Sequence, residues 1–158
     1  MKKYLKAFFS ISMCLSFFYS SSQQNADTAK DNKEALATLN GYLAALNEHD
    51  IAKAISYFSN TKDFLVYANG KGMNYEEFTT GLRTTFLQIK VMLVRYDTVY
   101  VRNIGGNAVL ITGRFHESFT DVNGREFDFD ITASSILLKR KGQWKVAYVT
   151  EVDQLVSD

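Results

Sequence analysis

The sequence predicts an α+β domain in which three short helices come first and pack on one side of a strongly curved, mainly antiparallel sheet. Three observations carry this. The stretch from Ile131 to Asp153, ITASSILLKRKGQWKVAYVTEVD, is two long β-rich runs folded about Lys141-Gly142. Before Lys90 the apolar residues recur at helical spacing, and after it that period is lost. From Val91 onward, four runs of β-branched and aromatic residues are joined by glycine-bearing turns; strands of such length curl, which gives the sheet a concave side.

Taken in order, Leu36, Leu39, Leu43 and Leu46 fall at spacings of three and four, one stripe of a helix ending near Asn47. Asp50 is placed to cap a second helix carrying Ile51, Ala54, Ile55 and Phe58. Phe64 to Tyr67 reads as a short strand stopped by Asn69-Gly70-Lys71-Gly72. Asn74 with Glu77 three residues on is a capping-box pair, opening a third helix that buries Phe78, Leu82, Phe86 and Ile89. The four long strands then run Val91 to Arg102, Ala108 to Thr120, Arg125 to Arg140 and Trp144 to Val152.

The first 22 residues stand apart from the fold. Lys2, Lys3 and Lys6 precede an apolar run from Ala7 to Tyr19 and the small residues Ser20, Ser21 and Ser22, the pattern of a signal peptide cleaved before Gln23. The apolar run is shorter than the roughly 20 residues that cross a bilayer, so no membrane span is expected in the mature form. Cys14 raises the lipoprotein alternative, but Met13 occupies the position where such sites want a small residue. The expected organisation is a leader over 1–22, a polar flexible segment over 23–32, one domain over 33–153 and a short tail over 154–158. Cleavage removes three of the 18 basic residues and none of the 17 acidic ones, leaving 15 against 17 and a charge of −2. Such a balance excludes a basic nucleic-acid footprint. The mature chain holds no cysteine, so its stability rests on the core rather than on disulfides.

If Lys141-Gly142 and Asn123-Gly124 are both two-residue loops, Arg140 opposes Gln143 and Val122 opposes Arg125, which sets His116 opposite Ile131. One face then carries Thr112, Arg114, His116, Phe127, Phe129, Ile131, Ser135, Trp144, Val146, Tyr148, Thr150 and Val152. Mostly apolar with a few polar groups, it is the expected pocket wall. The opposite face carries Phe115, Glu117, Phe119, Glu126, Asp128, Asp130, Glu151 and Asp153, and reads as solvated or dimer-facing.

The runs Ala108-Val109-Leu110-Ile111-Thr112-Gly113-Arg114 and Ile136-Leu137-Leu138-Lys139-Arg140-Lys141-Gly142-Gln143-Trp144-Lys145-Val146, behind this order of helices and strands, resemble the nuclear transport factor 2-like superfamily. That fold is a cone with a pocket, shared by SnoaL-like polyketide cyclases and ketosteroid isomerase. The resemblance covers about Lys33 to Val152, implies a homodimer joined through the outer sheet face, and fixes no reaction. An isomerase resemblance implies a carboxylate base on or just after the short strand, where this chain has Val66-Tyr67-Ala68-Asn69. A cyclase resemblance implies a carboxylate entering the cavity from the last strand, whereas the expected faces turn Glu151 and Asp153 away from Trp144.

Three functions fit these readings. The favoured one is an exported domain that holds a small, partly apolar molecule and performs no chemistry, with Arg114, Tyr148, Ser135, Phe129, Trp144 and Thr150 as ligand contacts. The alternative is a cofactor-independent isomerase, dehydratase or cyclase, with His116 as base and Tyr67 or Tyr148 polarising a carbonyl. In the third the pocket is packed shut, so that no void beyond about 300 Å³ exists. Each candidate also has a plain structural role: His116 as a hydrogen-bonded strand residue, Arg114 as half of an ion pair, the tyrosines as core. Asp128 and Asp130 lack a third ligand, so neither a metal nor another cofactor is expected.

Overall fold

The computed structural model describes residues 27–156; the expected leader, Cys14 and the expected cleavage site lie outside them. Helix α1 covers 27–47, α2 Ile51–Ser56 and α3 Tyr75–Phe86. The strands are β1 Leu65–Ala68, β2 Lys71–Met73, β3 Ile89–Gly105, β4 Ala108–Asp121, β5 Glu126–Arg140 and β6 Gln143–Leu155. They form one sheet in the order β2-β1-β6-β5-β4-β3, antiparallel throughout except where β1 runs parallel to β6. This is the α+β arrangement the sequence predicts: three helices on one side of a curved, unclosed sheet.

Local chemistry explains most boundaries. Asp50 accepts a hydrogen bond from the Lys53 amide at 2.9 Å, and Asn74 and Glu77 complete the capping box in both directions at 3.0 Å. Asn69 and Gly70, both at positive φ, make a tight turn rather than a strand stop, and the three residues after it pair with β1 as β2. Ile89, expected to close the third helix, instead opens β3, buried in the core. Asn47 ends α1 by taking both backbone groups of Val94, its Oδ1 accepting from the amide at 2.6 Å and its Nδ2 donating to the carbonyl at 3.0 Å.

Helix α1 also begins earlier than the flexible 23–32 segment allows, because Asp31 and Glu34 are tied to the sheet. Lys139 donates to Asp31 at 3.0 Å and to Glu34 at 2.7 Å, and the indole Nε1 of Trp144 donates to Glu34 at 3.1 Å. Trp144 therefore faces the helices and is 6% exposed. The Lys139 hydrogen bond, then that of Trp144, holds the Glu34 carboxyl below its ordinary range. Leu39, Leu43, Leu46, Phe58, Phe64 and Phe86 pack from the helical side onto Val109, Ile111, Leu137 and Val146. Gly113 lies so close to β3, beside the register shift between Tyr96 and Thr98, that a Cβ there would stand 2.6 Å from the Thr98 carbonyl oxygen.

Two irregularities overturn the expected faces. The turn between β4 and β5 contains three residues, Val122, Asn123 and Gly124, because Asp121 pairs with Arg125. The Asp121 carboxylate accepts from the amides of Asn123 and Arg125 at 2.8 and 2.9 Å and from the Arg125 guanidinium, bonds that pull it down to about 2. His116 consequently opposes Asp130, not Ile131, and every side chain of β4 changes side. On β6, Ala147 is an extra residue: Leu137 pairs with Val146 but Ile136 pairs with Tyr148. Val146 also bonds the segment after α2, accepting from the Ser59 amide at 2.7 Å and donating to the Tyr57 carbonyl at 2.9 Å. Beyond that point Val149, Glu151 and Asp153 turn inward, and Tyr148, Thr150 and Val152 turn outward.

Candidate functional site

Between the helices and the concave side of the sheet lies a cavity of about 400 Å³. A void of that size excludes the packed-shut reading. Leu39, Tyr42, Leu43 and Leu46 of α1 form its roof with Phe78, Leu82, Thr85 and Phe86 of α3. The wall is built from Phe115, Glu117 and Phe119 of β4, Phe129, Ile131, Ala133 and Ser135 of β5, and Val149, Glu151 and Asp153 of β6. Each of these sets alternates along its strand, which is why the wall is continuous.

The polar part of the wall is a cluster of carboxyl groups. Burial in these apolar surroundings, and then the field of Asp153, push Glu117 up to about 7. Burial, Asp153 and Glu117 push Glu151 up to about 7 as well. Burial raises the Tyr42 phenol above its ordinary value, with Glu151 and Glu117 adding to the effect. Asp153 is held by Asn69, whose Nδ2 donates to Oδ2 at 2.8 Å and whose Oδ1 accepts from the Asp153 amide at 3.1 Å. The Asn69 amide in turn donates to the Glu151 carbonyl at 3.2 Å, so the tight turn after β1 fixes the end of β6.

Of the residues singled out from the sequence, Phe129 and Ser135 line the cavity. Trp144 sits on the cavity side but is engaged by Glu34 and packed in the core. Arg114, His116, Tyr148, Thr150 and Tyr67 are not part of the wall, the first two because of the three-residue turn and Tyr148 and Thr150 because of the Ala147 bulge. Tyr67 opposes Thr150 across the β1–β6 pair, on the same outer side, and is 46% exposed. On that outer face His116 lies between two carboxylates, Nδ1 3.3 Å from Asp130 and Nε2 3.5 Å from Asp128, with Arg114 3.8 Å from Asp130. Sequence reasoning put Glu117, Glu151 and Asp153 on the solvated side. Val146 and Val149, both apolar at a spacing that strict alternation cannot bury, were the available sign that β6 contains an extra residue.

Among the described residues no group of three or more His, Cys, Asp or Glu side chains is placed to hold one metal ion, and no helix is long and apolar enough to cross a membrane. No curated relative matches the sequence. Solved structures do match in fold. A conserved protein from Planctomyces limnophilus superposes with a TM-score of 0.69 at 16% identity, over 81% of this chain and 99% of the other. A nuclear transport factor 2-like superfamily protein from Salmonella enterica gives 0.70 at 13% identity, over 82% and 94%. A ketosteroid isomerase-like protein from Erwinia carotovora atroseptica gives 0.62 at 18% identity, over 80% and 96%. At such identities the likeness is one of fold. The family model for the SnoaL-like domain matches residues 35–150, nearly the whole helix-and-sheet unit that encloses the cavity, and the chain belongs to that family within the nuclear transport factor 2-like fold.

Proposed function

We propose that this domain binds a small, largely apolar molecule inside the cone, with the polar end of the ligand directed at Glu117, Glu151 and Asp153. The observation that supports this best is the cavity itself: about 400 Å³, walled by aromatic and aliphatic side chains, with its carboxyl groups on β4 and β6. The neutral fluorophore N-phenyl-1-naphthylamine is a suitable probe. It is expected to give a saturable rise in emission that Ala133→Phe or Ser135→Leu abolishes at unchanged melting temperature, since either substitution fills the cavity from β5. His116→Ala, on the outer face, is expected to leave the titration unchanged. An unsaturable signal, or plugged variants that titrate like the parent, would exclude the cavity as the binding site.

A second reading draws on the two carboxyl groups held at about 7. One ionised and one protonated acid in an apolar cavity can pass a proton between two positions of an enolisable substrate without a cofactor. The carboxylate removes a proton from the carbon beside a carbonyl, the carboxylic acid donates a hydrogen bond to the carbonyl oxygen, and the proton is then returned to carbon. This transfers the role first considered for His116 to Glu117 and Glu151. In D2O the parent protein is expected to speed deuterium uptake at the carbon beside the carbonyl of 1-tetralone, and Glu151→Gln to lose that effect. Equal uptake with and without protein would leave binding alone.

A further inference from the structure

Although the cavity is mostly apolar, its charge is one-sided. Glu117, Glu151 and Asp153 face it, and among the described residues that line it there is no lysine, arginine or histidine. Nor are these acids satisfied by their neighbours. Within the described residues neither the Glu117 nor the Glu151 side chain has a hydrogen bond or an ion pair, and Asp153 Oδ1 is sealed from water without a partner while Oδ2 is held by Asn69. The Glu117 and Glu151 carboxyls are half-buried and line the cavity, and acceptors partly withdrawn from water cost free energy unless something supplies donors. The surrounding rings, Phe115, Phe119 and Phe129 on the wall and Tyr42 on the roof, put aromatic groups where a cation could lie against them and an apolar surface beside a hydrocarbon body.

Taking the cavity as a ligand site, we infer that its ligand is an organic cation: a protonated amine on a ring-bearing apolar body, with the ammonium seated between Glu117 and Glu151, in the field of Asp153. An ammonium brings three donors and no acceptor, the complement of two carboxyl groups to which no protein group donates. A carboxylate or phosphate ligand would add negative charge where no cation answers it, and is repelled. A neutral alcohol satisfies at most one acceptor. The titratable groups facing the ammonium are Glu117 from β4, Glu151 and Asp153 from β6, and Tyr42 from α1; Ser135 of β5 and Thr85 of α3 are polar but do not titrate in this range. Binding therefore favours the ionised acids and releases protons, so amine affinity rises with pH through the range where Glu117 and Glu151 titrate.

Three ligands of one shape separate the possibilities: 1-naphthylmethylamine, 1-naphthalenemethanol and 1-naphthoate, each competed against N-phenyl-1-naphthylamine. At pH 7.5 the amine is expected to bind about tenfold or more tighter than the alcohol, with the carboxylate weakest. At pH 5 the advantage over the alcohol shrinks, and in E117Q/E151Q it is lost while alcohol binding persists. If the alcohol matches or exceeds the amine at pH 7.5, or if the amine advantage survives in E117Q/E151Q, the cation assignment is overturned and the cavity still stands as a binding site for neutral molecules. If neither the three ligands nor the fluorophore bind, the ligand-binding reading fails with it.

Discussion

At pH 8.5 the double variant E117Q/E151Q is expected to melt about 10 °C above the parent, and at pH 4.5 the two are expected to melt together. Both carboxyl groups sit near 7 in the folded protein against an ordinary 4.5, raised first by burial and then by neighbouring carboxylates. Below 4.5 both states are protonated and nothing is lost. As the pH rises from 4.5 towards 7, the unfolded chain gives up these protons while the folded chain keeps them, so stability falls across that window. Above 7 both states are ionised and the loss is complete, on the order of 3 kcal/mol for one such group taken alone. The total for two coupled groups belongs to the pair. Glutamine has nearly the same shape and no charge to desolvate, so it removes the alkaline penalty.

Asp121 acts in the opposite sense. Its carboxyl is held at about 2 by the Arg125 amide and further bonds from Arg125 and Asn123. It therefore stabilises the fold above its ordinary 3.8 and stops doing so as the pH falls towards 2. The parent should be most stable near pH 4 to 5, between the two limbs. Scanning calorimetry from pH 2 to 8.5 checks this, and coincident melting of parent and double variant at pH 8.5 would mean that the acids are not held in an apolar site. No hydrogen bond or ion pair within the described residues repays the burial of Glu117 and Glu151. Destabilising side chains that a neutral isostere would relieve are more readily understood as serving a ligand than as serving the fold.

How much of this could be read in the sequence depended on which interactions were local. Helix periodicity placed Leu39, Leu43 and Ala54 correctly because each pattern lies within one helix and needs no partner to be recognised; Phe58, expected on the second helix, is buried but lies beyond its end at Ser56, bridged to Val146. The Lys141-Gly142 turn was read at its true length, with Arg140 opposite Gln143, and β5 runs from it without a bulge. Phe129, Ile131 and Ser135 accordingly fall on the expected side. Face assignment beyond these points required one-residue accuracy in a turn and in a strand, and in both places a longer-range interaction decided. At 121–125 the Asp121 carboxylate draws in the amides of Asn123 and Arg125 and lengthens the loop by one. At Ala147 the competition is between β5 on one edge of β6 and the 57–59 segment on the other, and no neighbouring residue in sequence reports it. The cavity carboxylates were missed for this reason alone: Glu117 lies beyond the turn and Glu151 and Asp153 lie beyond the bulge.

Deleting Ala147 together with Tyr148 turns that reasoning into an experiment with a large expected effect. Removing Ala147 alone would set Tyr148 after Val146, still opposite Ile136, and keep every face; removing both residues sets Val149 opposite Ile136, so β6 keeps its pairing from Gln143 to Val146 and every later side chain changes face. Val149, 9% exposed beneath the helices, is forced outward, and the β1–β6 register that pairs Val66 with Val149 is displaced by one. Loss of a buried valine and a misplaced parallel pair should lower the melting temperature by about 15 °C or more. The inversion itself can be read by thiol labelling, because Cys14 is the single cysteine and a Cys14→Ser background is silent. In that background a cysteine introduced by Glu151→Cys should be protected from a bulky maleimide and one introduced by Val152→Cys should react. In the deletion chain the order should reverse, as Val152 moves in and Glu151 moves out. If the reactivities keep their original order, the strand has recovered its register by shifting a neighbour, and the placement of Glu151 and Asp153 in the cavity is set by the β1 and Asn69 contacts rather than by the bulge.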